Sequence, residues 1–342
     1  MTSSIVLVPD AEPDAAPRGE SRKKWTLDRR YLPVLGPVLV LVLIFALGGA
    51  RYDNFLSGRV ISNLLVNNAS LVVLAVGMTF VILTGGIDLS VGSVVALSGV
   101  LAAWLFQNGW PAFLVIPLAI LVGTVIGTGT GYLVQKFEIQ PFIATLGAMF
   151  FARGASFVIS EASIPISDPT IKWIASTRIR FSEEWYLSVS GVIALVVVAV
   201  GFVALHYTRL GRTVYAIGGS EQSALLMGLP VARTKTLVYV ISGTCAGLAG
   251  FLFSADKSSG WSLNAVGMEL DVIAAVVIGG TLLTGGSGFV LGSVLGVLVL
   301  GLIQTIIQFE GTLSSWWTRI IIGILLLVFV VLQRLLVLRR RT

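Results

Sequence analysis

The sequence predicts an all-α, polytopic membrane bundle of about ten spans with an internal repeat. Three observations lead there. Mean hydropathy is +0.94 and 12% of residues are charged, against roughly 25% in soluble domains. Several apolar runs reach the ~20 residues that a helix needs to cross ~30 Å of hydrocarbon, well beyond the length of a barrel strand. Finally, LTGGIDLSVGSV (83–94) recurs 200 residues later as LTGGSGFVLGSV (283–294), with seven of twelve positions identical.

Taken in order, residues 1–32 are rich in Pro, Ala and charge and end in Arg22, Lys23, Lys24, Arg29 and Arg30. They predict a disordered cytoplasmic tail. The run 33–50 carries small residues before Arg51, as a cleaved signal peptide would, yet the spans downstream favour a retained first span. Further spans are expected at 62–84, 87–106, 111–134, 141–160, 187–206, 236–256, 271–284, 288–308 and 316–334. Residues 33–335 then form one transmembrane domain, and 336–342 a basic cytoplasmic C-terminus. Span 271–284 is short, and the breaks at 84–87 and 284–287 are tight, so either can be a broken or re-entrant helix.

With the N-terminus cytoplasmic, most of the 23 Lys and Arg fall inside: the tail, Lys136, the segment 209–235, and Arg334, Arg339, Arg340 and Arg341. That asymmetry supports the orientation and explains the net charge of +6 without nucleic acid as a partner. The polar stretch 161–186 is the longest external loop.

The repeat centres on paired helix-break glycines, Gly85 and Gly86 in the first copy, Gly285 and Gly286 in the second. Duplicated halves with glycine-interrupted helices commonly flank a transport pathway. Six spans separate the copies, which implies a parallel repeat; one re-entrant segment would make it inverted. Stripes of small residues (Gly123, Gly127, Gly131; Gly243, Gly247; Gly292, Gly296) predict close helix packing.

Enzymatic chemistry finds no support. There is no GxxxxGK[ST] loop, no HExxH and no Ser, His and Asp set, and GGSGFVLG (285–292) lies between apolar helices instead of after a strand. One cysteine, Cys245, and one histidine, His206, provide neither an intrachain disulfide nor a metal cluster. No metal or cofactor is expected in this chain. The one long cytoplasmic connection lies within 207–235; inside it, 221–229 reads as a short helix with Ser220 as N-cap and Gly228 and Pro230 near its end. Its apolar side, Ala224, Leu225 and Met227, needs a partner.

GMTFVILTGGIDLSVGSVVAL (77–97), AIGGSEQSALLMGLPVARTK (216–235), GTCAGLAGFL (243–252) and ELDVIAAVVIGGTLLTGGSG (269–288) resemble the membrane permeases of ATP-binding-cassette sugar importers of the ribose, xylose and galactofuranose type. Within that group, EASIPI (161–166) and FEGTLSSWWTRIIIGILL (309–326) are most similar to one of the two permeases of galactofuranose importers. The resemblance implies a bacterial inner-membrane subunit that pairs with a second permease, receives sugar from a periplasmic binding protein, and is driven by a cytoplasmic ATPase that holds ATP and magnesium. It also implies that residues 219–230 dock on the ATPase, with Gly219, Glu221, Ala224, Met227, Gly228 and Pro230 as the coupling set. The duplicated halves also allow a self-sufficient secondary transporter or channel, although few intramembrane acids argue against one.

A neutral sugar needs amides and hydroxyls along its route. Asn67 and Asn68 in the second span, and Gln304 with Gln308 one turn apart in the ninth, are candidates, with bundle-fastening hydrogen bonds as the competing role. Phe150, Phe151, Trp316 and Trp317 can stack on sugar rings, but Trp316 and Trp317 begin a span and suit an interfacial belt. Arg153, inside a span, requires a partner, with Asp88 and Glu161 as candidates. Asp88 is expected to cap a helix starting at Leu89 by accepting from the N–H of Ser90 or Val91. A pathway contact or a proton carrier are its alternatives.

Overall fold

The computed structural model describes residues 32–312, 314 and 316–338. The tail expected before Leu32 and the C-terminal Arg339, Arg340 and Arg341 lie outside these residues. Fourteen helices are found among the described residues: α1 Leu32–Arg51, α2 Gly58–Asn67, α3 Ala69–Leu83, α4 Val91–Gln107, α5 Ala112–Lys136, α6 Pro141–Ile159, α7 Pro169–Ser176, α8 Val189–Tyr207, α9 Arg209–Gly219, α10 Glu221–Leu226, α11 Val231–Lys257, α12 Met268–Ile278, α13 Val290–Glu310 and α14 Trp316–Leu338. Four short strands, β1 Ile164–Pro165, β2 Arg178–Arg180, β3 Tyr186–Ser188 and β4 Ser259–Gly260, form two antiparallel pairs, β1 with β4 and β2 with β3.

Five helices, α5, α6, α8, α11 and α13, are long and apolar enough to cross a membrane, and α2 with α3 makes a sixth if the pair is one span. The expected second span is broken at Asn68, where the two helices meet at 56°. The apolar parts of α1, α4 and α14 are shorter. Helix α12, at 11 residues, is far shorter than a full crossing, as the sequence suggested.

Helix α11 is the spine, packed against α5, α3 and α4. Glycine makes this possible. A methyl group added at Gly127 would press on the Tyr239 carbonyl and lie 3.0 Å from the Cα of Gly243, so α5 and α11 touch backbone to backbone. Where lipid provides no hydrophobic drive, such close approach maximises dispersion contact. The hydroxyls of Thr124 and Thr244 bridge the same interface at 2.9 Å. The stripe around Gly292 and Gly296 likewise brings α13 onto Gly279 and Ala275 at the end of α12.

The segment expected as an open external loop, 161–186, is partly ordered. Asp168 caps α7 by accepting the Thr170 N–H at 2.8 Å. The β2–β3 hairpin is tied to α2 by the Gly58 N–H donating to Glu184 at 3.1 Å and by Tyr186 donating to Asn63 at 2.5 Å. At this same end Tyr52 donates to Glu310, and Arg51 pairs with Glu310 at 3.5 Å, fastening the ends of α1 and α13.

Candidate functional site

Three clusters carry the polar chemistry of the bundle. In the first, the two glycine breaks lie against each other. The Gly286 N–H donates to the Leu83 carbonyl at 2.9 Å, and a methyl group at Gly285 would lie 2.8 Å from the Gly85 nitrogen and 3.1 Å from the Cα of Gly218. Gly85, Gly285 and Gly286 have φ of +79°, +83° and +76°, a region open to glycine at little cost. All four predicted glycines therefore sit at one junction. Sequence reasoning missed its third member, Gly218 of α9, whose Cα faces Leu83 O and the Gly286 amide. A second tether joins the same elements: the Tyr215 hydroxyl donates to the Gly288 carbonyl at 2.7 Å. Burial pushes the Tyr215 phenol up to about 12, which keeps it a donor.

The cytoplasmic connection expected between spans is helical. Thr208 accepts the Gly211 N–H at the start of α9, and Ser220 accepts the Ser223 N–H at the start of α10, the cap read from sequence. Helix α10 stops at Leu226, three residues earlier than expected. The Leu229 N–H donates to Ala224 and the Gly228 N–H to Leu225, the paired bonds of a Schellman ending, with Gly228 at φ +72°. Ala224 is buried against Ile217 and Val231, while Leu225, Leu226 and Met227 are 56%, 85% and 65% exposed. Glu221 holds Lys235 at 2.9 and 3.1 Å, joining α10 to α11. Gly219 touches nothing within 4 Å of an added Cβ, and exposed Pro230 leads into α11.

The second cluster is Asp88, 1% exposed. It accepts the Ser90 N–H at 3.0 Å, the Ser90 hydroxyl at 2.6 Å, and the Ser242 hydroxyl of α11 at 2.7 Å. The bond to the Ser90 N–H was expected, but the helix begins at Val91 and Ser90 occupies the cap position. Asp88 thus fixes the turn before the helix and pins it to the spine, a tie across 154 residues that periodicity does not reveal. Asparagine keeps an acceptor for Ser90 and presents an N–H₂ to a Ser242 hydroxyl that can accept. Transport by Asp88→Asn is expected within about threefold of wild type, whereas Asp88→Leu, which strands buried donors at roughly 1–3 kcal/mol each, is expected to lower both folded yield and uptake. Vesicle uptake normalised to monodisperse protein measures this, and complete loss in Asp88→Asn would contradict it.

The third cluster lines a cleft of ≈ 550 Å³ between α12, α13 and α14: Asp271, Gln304, Gln308, Thr318 and Arg319, with Ile307, Gly311 and Ile322. The two predicted glutamines therefore come together, beside a charged pair that the sequence reading passed over. Asn68 does not join them. Its amide donates to Leu64 of its own helix at 2.8 Å, and it is buried against Gly301; Asn67 is exposed on α2. Arg153 is also settled differently from expectation. Its guanidinium donates to the carbonyls of Ser262 and of Asn264, the latter at 2.9 Å, and among the described residues it forms no ion pair with Asp88 or Glu161. Phe150, Phe151, Trp316 and Trp317 are exposed, and Trp316 lies under the Arg319 guanidinium at 5.4 Å.

Residues 60–330 match the family model described as branched-chain amino acid transport system / permease component. The chain belongs to this permease family. It is 48% identical over 307 residues to the inner membrane ABC transporter permease protein YjfF of Escherichia coli (strain K12), covering 90% of this chain and 93% of that protein. It is 46% identical over 321 residues to the fructose import permease protein FruG of Bifidobacterium longum (strain NCC 2705), covering 92% and 94%. Ribose import permease protein RbsC of Escherichia coli (strain K12) is 34% identical over 330 residues, covering 91% and 95%. No solved structure matches the chain. The permease is thus a membrane component of an ABC sugar importer, and its relatives are transport subunits, not enzymes.

Within the permease, the missed residues share one property. Gly218, Tyr215 and Ser242 meet partners far away in sequence, and Asp271 and Arg319 line one cleft from distant helices, so a local pattern carries no sign of them. Only Gly218, beside Gly219 in a segment already singled out, had a usable signal.

Proposed function

We propose that this permease forms half of the route for a monosaccharide through a bacterial inner membrane, with a second permease completing it. A periplasmic binding protein delivers the sugar, and a cytoplasmic ATPase, which holds the nucleotide and its magnesium, docks on residues 219–230. The N-terminus is cytoplasmic and there are ten crossings: α1, the α2–α3 pair, α4, α5, α6, α8, α11, short α12 together with the non-helical stretch that follows it, α13 and α14. The two LTGG segments are then copies of one parallel repeat, each closing a hairpin at the cytoplasmic side. Basic Lys136, Arg209, Arg212, Arg233 and Lys235 all fall on that side.

One observation carries this reading: α9 touches both glycine breaks at once through Gly218 and Tyr215. A rigid push on α10 reaches α9 and then both hairpins, which is how nucleotide-driven closure becomes alternating access. Among monosaccharides, galactofuranose is the first to test, supported by EASIPI and FEGTLSSWWTRIIIGILL. Fructose and ribose are named for two relatives, and both sugars also adopt five-membered rings.

Proteoliposomes that contain this chain, its partner permease and its ATPase, with binding protein outside and ATP inside, are expected to accumulate labelled sugar. Accumulation by this chain alone, without ATP, would overturn the proposal.

A further inference from the structure

We infer that the cleft between α12, α13 and α14 is a capture site for a neutral polyhydroxylated ring, in which Asp271 and Arg319 hold adjacent hydroxyls beside the amides of Gln304 and Gln308. The inference rests on the sugar reading above and names the residues that would receive the solute.

Apart from Arg319, which lies over the Trp316 ring, the polar groups of this cleft are not spent on the fold. Asp271, Gln304, Gln308 and Thr318 form no side-chain hydrogen bond among the described residues, and no ion pair within 4 Å joins Asp271 to Arg319. Elsewhere in the bundle several polar side chains are bonded: Asp88 accepts from Ser90 and Ser242, Arg153 donates to carbonyls, and Asn68 donates to Leu64. His206 Nε2, Tyr239 Oη and Glu269 Oε2 are buried with no hydrogen-bond partner among the described residues, but they line no cleft of this kind. Holding opposite charges apart around a cleft in a membrane protein is costly and marks a functional place.

The chemistry matches a diol. A carboxylate only accepts and a guanidinium only donates, whereas each sugar hydroxyl does both, so neighbouring hydroxyls can satisfy the two groups together. The two charges that line the cleft sum to zero. Gln304 and Gln308, one turn apart on α13, each offer a donor and an acceptor. A volume of ≈ 550 Å³ lies within the range of small-molecule sites and leaves room for water around a monosaccharide. The position is apt as well, at the end of α13 opposite the glycine junction. A zwitterionic branched-chain amino acid would also meet both charges, but its side chain needs an apolar pocket, and Ile307 and Ile322 are the two large apolar side chains among the lining residues.

The test uses the assembled importer in proteoliposomes with labelled ribose, fructose, arabinose and galactofuranose, and with leucine and valine as the competing class. For the transported sugar, Asp271→Asn and Arg319→Gln are each expected to raise KM about tenfold, while the ATPase rate stimulated by saturated binding protein stays within about twofold. A competitor lacking one ring hydroxyl should lose its disadvantage in whichever variant removes the matching group. Independently of any variant, a diazirine-bearing monosaccharide should label peptides of α12, α13 or α14 in the wild-type complex. Wild-type KM in both variants, or labelling confined to other helices, overturns the cleft assignment and leaves the sugar reading standing. ATP-driven uptake of leucine or valine and of no sugar overturns both.

Discussion

Gly218→Val is expected to reduce ATP-driven sugar uptake at least about tenfold while the assembled importer still forms. The reason is steric. A first side-chain carbon at this position of α9 would run into the Leu83 carbonyl and the Gly286 amide and would lie 2.9 Å from the Gly286 Cα. Backbone cannot yield as a flexible side chain does, and overpacking of this kind costs about 1–3 kcal/mol, where each 1.4 kcal/mol is about tenfold in an equilibrium. The bond from Gly286 N–H to Leu83 O, which joins the two breaks, would open or α9 would shift outward. Either way, movement at α10 would no longer reach the hairpins in register, so ATP hydrolysis would persist but lose its stimulation by loaded binding protein. The neighbouring Gly219→Ala meets nothing within 4 Å in this chain and is expected to leave the junction intact. Size-exclusion chromatography separates misfolding from uncoupling. Wild-type uptake by a monodisperse Gly218→Val importer would remove the junction from the mechanism.

The second large effect is expected at the tip of α10. Leu225, Leu226 and Met227 are all more than half exposed, whereas Ala224 of the same helix is fully buried against Ile217 and Val231. The helix is therefore held from one side and presents bare apolar side chains on the other. Full burial of each such side chain contributes about 1.5–3 kcal/mol, so their joint replacement by aspartate is expected to weaken ATPase binding at least about a hundredfold. The Schellman ending, the Ser220 cap and the Glu221–Lys235 pair are untouched, so the permease should still fold. Co-purification of ATPase with permease, measured with and without the three substitutions, reads the effect. Retention of full ATPase binding would place the docking surface elsewhere. The Glu221–Lys235 pair is exposed, and pairs of that kind contribute roughly 0–1 kcal/mol, so Glu221 positions α10 more than it stabilises the fold.

Both predictions rest on a segment that was legible by composition and cap chemistry but not by function of each residue. The sequence located Ser220, Gly228 and Pro230 around a short helix because capping is local: a hydroxyl two or three residues before an orphan N–H, a glycine where φ turns positive. It placed that helix end at Leu229, with Gly228 and Pro230 as the stop signals, and missed that Leu229 turns back to bond Ala224. The same contrast holds for Asp88. Its bond to the Ser90 N–H was foreseeable from two-residue spacing. Its bond to Ser242 was not.

By itself, the sequence determined the membrane environment, the helical class, the paired glycine breaks, the capped segment between α8 and α11, and the permease family to which the chain belongs. The family came from the resemblance of whole motifs; the rest follows from local rules: hydrocarbon thickness sets run length, charge sorts by side, and glycine permits tight turns. Tertiary structure alone decided which polar residues are consumed and which remain free. Asn68 and Gln304 are both amides in apolar helices, yet one is bonded to its own backbone and the other faces a cleft with Asp271 and Arg319. That division depends on which helices become neighbours, and in a bundle the neighbours of a residue lie tens to hundreds of positions away.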